Sequence, residues 1–493
     1  MKGLLLPSSF YLLPFLVLAT ANAAGYRYGA SDQAFYTPAV MARLDPGLFP
    51  RDSRLLNTQA HLTLADETVA ALARATRADL PVLFAVLYVV SLALLAFAGF
   101  CMAGEMFRHR STGVALVAAV SLRHAIARAG TNTLEGYFHP RQLAFALGAL
   151  AVCAFLKRRG ILVLVLLAGA AALHPTTTLW FVVWLYVAML VAEPGRRLAL
   201  AIAPVVCLPV GWWAVAAGPL AGRLVTMDEE WLAAIADKDY LFPAGWPAYA
   251  WVLNLGYVAI LALVWRVRRS YAALRPRETA LAAGCLSLVA VFAVALVFQA
   301  RGLALAVQLQ PARVFWMLDW LATIYLVWLF AEGGRAARPV RAALVAACLA
   351  TLAAVRGFYI MQVQFPNRPL AQIDVRDDDW GRVMVWARST DRDAGWLADP
   401  LHAARYGTSV RVAGARDVFV EALKDSALGM YDRAIAIRTR ERLVEVEDFH
   451  ALTPTRAREL GRAHDLDFLV TEAALDLPVA FQSGELRVYR ITD

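Results

Sequence analysis

Two carboxylates stand where the chain could do chemistry. Asp32 lies a few residues past the first long apolar run, in Ala30-Ser31-Asp32-Gln33-Ala34-Phe35-Tyr36-Thr37-Pro38. Glu135 opens Glu135-Gly136-Tyr137-Phe138, between the third and fourth runs. A carboxylate in such a place can take a proton from an acceptor hydroxyl or help bind a divalent metal ion. Groups suited to phosphate lie in neighbouring segments: Arg51 and Asp52 later in the first polar loop, Arg128, Arg141, His174, and the pair Gln310 and Arg313. Guanidinium forks match the geometry of phosphate oxygens. Each residue also has a plainer account. Asp32 could cap a helix starting near Gln33, and Asp52 could serve a turn. Arg128 and Arg313 could reach to a membrane interface, and His174 could end a hydroxyl-capped turn before Pro175.

The elements that must hold these residues are apolar. Of the 493 residues 60% are hydrophobic and only 18% charged, against about 25% charged in soluble domains. Runs long enough to cross a hydrocarbon core of roughly 30 Å recur along the chain. Spans are expected near 4–24, 80–104, 112–127, 140–156, 160–174, 176–192, 198–217, 247–265, 279–299, 312–331 and 342–360. The fold class is therefore a polytopic α-helical membrane protein of about eleven transmembrane helices. The third expected span includes Arg123 and His124, and the tenth includes Asp319. A charge in such a segment costs roughly 2.5–3.5 kcal/mol on insertion scales, which points to cavities or partners for these three.

The net charge of +9 does not indicate nucleic acid, because the basic residues sit in short loops between spans. With Lys2 inside, alternate loops carry Arg108 and Arg110, then Lys157 to Arg159, Arg196 and Arg197, a run from Arg266 to Arg277, and finally Arg335 to Arg341. That is the positive-inside pattern. It places the N-terminus inside and the C-terminus outside, with outward loops at 25–79 and 218–246. Lys2, the apolar stretch from Leu4 to Leu18 and Ala21-Asn22-Ala23 have the form of a cleavable signal peptide; with so many later spans they read as an uncleaved first helix. The five cysteines all fall in apolar spans, so no disulfide framework follows. The sequence holds no Walker loop, dinucleotide fingerprint, HExxH or GxSxG.

Residues 1–360 thus form the membrane domain, and residues 361–493 form a small outward α/β domain. In the latter, helices are expected over Asp379 to Arg388, Val418 to Leu428, Met430 to Val444 and Thr455 to His464. Strands are expected over Gly395 to Ala398, Ser409 to Ala413, Asp467 to Thr471 and Leu486 to Ile491.

The spans, an acid soon after the first of them, a second acid between the third and fourth, and an outward C-terminal domain together resemble the GT-C superfamily of membrane glycosyltransferases. Asp32-Gln33-x-x-Tyr36 looks like the first-loop motif of that superfamily and Glu135-Gly136-Tyr137-Phe138 occupies the second-loop position. Pro140-Arg141, His174-Pro175 and Gln310-Pro311-x-Arg313 are similar to uncharacterised bacterial membrane proteins placed near it. The chain departs from the pattern in having Asp-Gln where two adjacent acids are common, and one acid in the second loop. The resemblance implies a bacterial inner-membrane enzyme that moves a sugar, with inversion, from a polyprenyl-phosphate donor to a glycan, lipid or protein acceptor. Asp32 would be the general base, Glu135 would position the acceptor or a divalent metal ion, and Arg128, Arg141 or Arg313 would neutralise the leaving phosphate. A transporter or polysaccharide-export component, and a non-catalytic membrane-anchored scaffold, are the alternatives.

Overall fold

The computed structural model describes residues 5–334 and 338–492. Lys2 and Arg335, which enter the charge reading, lie outside the described residues. Seven helices are long and apolar enough to cross a membrane: Leu80–Met106, Pro175–Ala192, Pro194–Ala216, Ala248–Ser270, Glu278–Gln299, Ala304–Glu332 and Pro339–Gln364. Four shorter apolar helices, Tyr11–Asn22, Arg110–Val120, Pro140–Leu156 and Gly160–Leu173, occupy the other four expected positions. At 1.5 Å per residue even 17 residues give about 25 Å, short of a full hydrocarbon core. Length thus supports seven crossings, and the count of eleven is met only as eleven helix positions. The third expected span stops at Val120 because Arg123 and His124 leave the helix and enter a hairpin, Ala125–Ile126 against Thr131–Asn132.

Burial ranks the helices. Val314–Glu332 runs through the middle of the bundle with nearly every side chain buried, whereas Pro194–Ala216 buries none of its apolar window. The latter shows Leu198, Val206 and Trp212 to its surroundings, as a helix solvated by lipid does. Two helices approach closely at Gly284, where a Cβ would stand 2.3 Å from the Trp184 carbonyl oxygen. There the Trp184 indole donates to Leu281 O at 2.9 Å.

The arginine-rich loops meet at one end of the bundle. Arg268 and Glu278 are fully buried and paired at 2.5 Å, with the Arg268 guanidinium 4.5 Å over the Trp328 ring. Glu332 accepts from the backbone N–H groups of Arg108 and His109 and from the Thr112 hydroxyl. Several charges that read as loop-orienting are therefore also buried ties between helix ends.

The C-terminal region forms a five-stranded sheet in the order Asp417–Val418, Gly395–Leu397, Phe468–Thr471, Leu486–Arg490, Val479–Ser483. The first three are parallel and the last two antiparallel. Ser409 to Ala413, expected as a strand, is a helical turn, because the Ser409 hydroxyl accepts from Val412 N at 3.2 Å and caps it. The helix expected from Val418 begins only at Ala422, since Val418 joins the sheet.

This region is tied to the loops at the other end of the bundle. Arg411, 1% exposed, donates to Asp52 at 2.7 Å and to both Asp425 oxygens at 2.7 and 2.9 Å. Loop 218–246 packs Met227, Trp231 and Ile235 against Met430 and Ala436. Arg433 pairs there with Asp228 and Glu230. Tyr26–Arg27 also pairs in parallel with Ala371–Gln372.

Candidate functional site

Asp32 sits at the cap position of helix Gln33–Leu44, yet its side chain makes no capping hydrogen bond. The carboxylate turns instead toward the second loop and the C-terminal domain. Its Oδ2 accepts from the Tyr137 hydroxyl at 3.2 Å and from His139 Nε2 at 3.1 Å. Its Oδ1 accepts from Lys424 Nζ at 2.5 Å. The tautomer of His139 follows, because its Nδ1 accepts from Arg141 N at 3.0 Å, leaving the proton on Nε2.

Gln33 registers the two loops. Its Oε1 accepts from Gly29 N at 2.6 Å and its Nε2 donates to Phe138 O at 3.0 Å. Gly136 completes the approach, since a Cβ there would stand 2.5 Å from Gly25 O and 2.6 Å from Ala23 O. Glu135 is thereby fixed, with Arg141 donating to its Oε1 at 3.1 Å and Asn132 to both oxygens at 3.3 Å. Farther along the hairpin, His124 Nε2 lies 2.8 Å from Asp319 Oδ1 and anchors it to the central helix.

Asp32, Glu135, Arg141 and Arg313 line one cavity of about 640 Å³. Lys424, from the C-terminal domain, lines it with them, and so do Arg27, Arg123, Lys238 and Arg368. The cavity thus holds seven basic side chains against two carboxylates. Arg313 makes no ion pair among the described residues, and its Nε is buried without a partner.

The charges shape protonation. Burial alone would raise the Asp32 carboxyl, but Lys424, then His139 and Arg141, outweigh it and hold the group well below the usual range. Burial raises Glu135 despite Arg141 beside it. Burial, reinforced by Arg141, pushes His139 down to about 3 and keeps it neutral. An ionised carboxylate, a neutral imidazole hydrogen-bonded to it and a second carboxyl of raised proton affinity thus lie close together.

Five expected site residues lie elsewhere, for physical reasons. Arg51 donates to Asp465 and lies 4.0 Å from Asp467; Asp52 is sealed against Arg411. Both hold the first loop to the C-terminal domain. Arg128 pairs with Asp239 and Tyr249. Gln310 lies outside the cavity lining and adopts φ +49°, and its carbonyl accepts from Arg313 N at 3.0 Å. It sets the turn from which Arg313 projects. His174 lies one layer behind the cavity, its ring 6.1 Å from that of His139 and its Nδ1 accepting from Thr177 N. Lys424, Lys238, Arg27 and Arg368 carried no sequence signal, since only long-range packing brings them in. Arg123 stood out as a charge inside an expected span, without a role at the site.

Among the described residues no three His, Cys, Asp or Glu side chains gather to hold a metal ion, and each cavity carboxylate already has a cation against it. No family model matches the chain, and no curated protein matches it in sequence.

Proposed function

We propose that the cavity is the active site of a membrane glycosyltransferase that uses a polyprenyl-phosphate sugar. The observation that carries this reading is the convergence of Asp32, Glu135, Arg141 and Arg313, from three separate segments, in one strongly cationic cavity at an end of an apolar helix bundle. An anionic lipid-linked donor suits both properties. The acceptor hydroxyl attacks the anomeric carbon, and its proton passes to Asp32 Oδ1 or Oδ2. The bond from that carbon to the phosphate oxygen breaks, and its electron pair leaves on the polyprenyl phosphate. Arg313, which lacks a protein anion, neutralises the oxygens, with Arg141 beside it. Such preorganised charge is worth most in a water-poor site. The bilayer supplies the donor, and the acceptor is a glycan, lipid or protein entering from the face that bears the C-terminal domain.

Asp32→Asn keeps the shape and removes the base. Transfer of a radiolabelled sugar from a polyprenyl-phosphate donor by membranes containing the variant is expected to fall by about 10²–10⁴-fold, the usual scale of general-base catalysis. Full-rate transfer by Asp32→Asn would remove Asp32 from the mechanism.

A further inference from the structure

The cavity has more positive charge than one phosphate can use. Lys424 pairs with Asp32, Arg141 with Glu135, and Lys238 with Asp237 at 2.6 Å. Arg27, Arg123, Arg313 and Arg368 remain, and none has a carboxylate within ion-pairing distance among the described residues. A sugar linked through one phosphate brings a single negative charge. Leaving three guanidiniums unmatched in a half-buried space is costly, because charges out of water need partners.

The four are not one cluster. Arg313 and Arg141 line the cavity near enough for Arg141 to act on the Arg313 charge. Arg27 and Arg368 are drawn together by the backbone, where Tyr26–Arg27 pairs with Ala371–Gln372 and Tyr26 N donates to Leu370 O at 2.9 Å. Gly25, at φ +81°, lets the strand enter, since a Cβ would stand 2.8 Å from Pro369 O. The Arg27 Nε is buried with no partner. Burial, then Arg368, lowers its proton affinity to about 10. Arg368 is braced 3.6 Å over the Phe365 ring, and Arg123 is held by Leu134 O at 3.0 Å.

We propose that Arg27 and Arg368, with Arg123 at the edge, form a second phosphate-type anion subsite beside that of Arg313 and Arg141, and that it takes the second phosphate of a polyprenyl diphosphate-linked donor or an acidic group of the acceptor. The inference rests on the transferase reading for the nature of the lipid. Both sources present the same chemistry, oxygens that two guanidinium forks can bind.

The test uses the full chain in lipid nanodiscs, with a polyprenyl phosphate, the matching polyprenyl diphosphate and inorganic pyrophosphate as probes. The diphosphate lipid is expected to bind about tenfold tighter than the monophosphate, the scale of one added charge-assisted hydrogen bond. R27Q/R368Q should erase that ratio, and R27K/R368K should restore part of it, which separates lost charge from a misfolded site. If the lipids bind alike, but pyrophosphate binds the monophosphate-loaded protein and not the R27Q/R368Q form, the anion comes from the acceptor and the subsite stands. No diphosphate advantage and no Arg27-dependent pyrophosphate binding overturns it. Arg313→Gln separates the two readings. If it still abolishes monophosphate binding, the transferase reading survives the loss of the subsite. If neither lipid binds the unaltered protein, that reading falls, and pyrophosphate alone decides the subsite.

Discussion

At the scale of single residues, Asp32 carries the argument, and its two oxygens are both in use. Tyr137 and His139 hold Oδ2, while Lys424 takes Oδ1. Lys424 therefore keeps the base ionised and also weakens it, since a carboxylate held far below the working pH is a poor proton acceptor. Lys424→Met removes the nearest charge. The Asp32 carboxyl should then rise, so the acid limb of the transfer-rate profile, where Asp32 becomes protonated, should move to higher pH. A pH profile of sugar transfer checks this, and an unmoved limb would show that Lys424 does not govern Asp32. The sequence makes Asp32, Glu135, Arg141 and Arg313 legible because each stands beside a span boundary, where a polar group has few structural duties. Arg128 stands in a similar place, and Arg51 and Asp52 stand in mid-loop, and none of the three is at the site. A sequence shows a charge, but not the opposite charge that packing brings to it, as Arg411 does for Asp52.

At the scale of elements, the site is assembled by docking as much as by the bundle. Helix Ala422–Leu428 supplies Lys424, and the buried pairs of Arg411 with Asp52 and Asp425 hold that helix in place. Arg411→Met would take the hydrogen-bonded cation from two buried carboxylates, leaving Asp52 only Arg438 at 3.8 Å, a loss of about 3–5 kcal/mol where one partner of a buried pair is removed. The variant should melt at lower temperature and expose the C-terminal domain to protease. Because Lys424 then leaves Asp32, its acid limb should shift as in Lys424→Met. A stable Arg411→Met protein with an unshifted limb would mean that other contacts dock the domain. The isolated elements of this region were largely readable: Asp379–Ala387, Pro454–His464 and Phe468–Thr471 fall where periodicity puts them. Ser409 misled because a hydroxyl cap overrode an apolar alternation. Val479–Ser483 was missed because it is an edge strand whose exposed Val479 and Gln482 leave no clean pattern.

At the scale of the whole molecule, the two ends of the bundle differ in charge, as the basic loops recurring along the sequence lead one to expect. The structure gathers the arginine-rich loops at one end, where Arg277 reaches Glu193 and the Phe155 carbonyl, and Lys157 approaches Glu105. Loops 25–79 and 218–246, the hairpin and the C-terminal domain share the other end, and with them the cavity. The bundle thus separates two faces by composition as well as by geometry, and we propose, from the positive-inside rule, that the arginine-rich face is the cytoplasmic one. On that assignment the cavity opens on the outer leaflet, which decides where the donor must be presented. Single cysteines at two exposed positions, Arg456→Cys in the C-terminal domain and Arg269→Cys at the opposite end, test it in a background without the five native thiols. A membrane-impermeant maleimide should label Arg456→Cys in intact cells and reach Arg269→Cys only after the membrane is opened. The reverse pattern would put the cavity in the cytoplasm. The cationic site would then still fit a lipid phosphate, but the donor would have to be used on the leaflet where such lipids are made, and the outer-face acceptor would be lost from the mechanism.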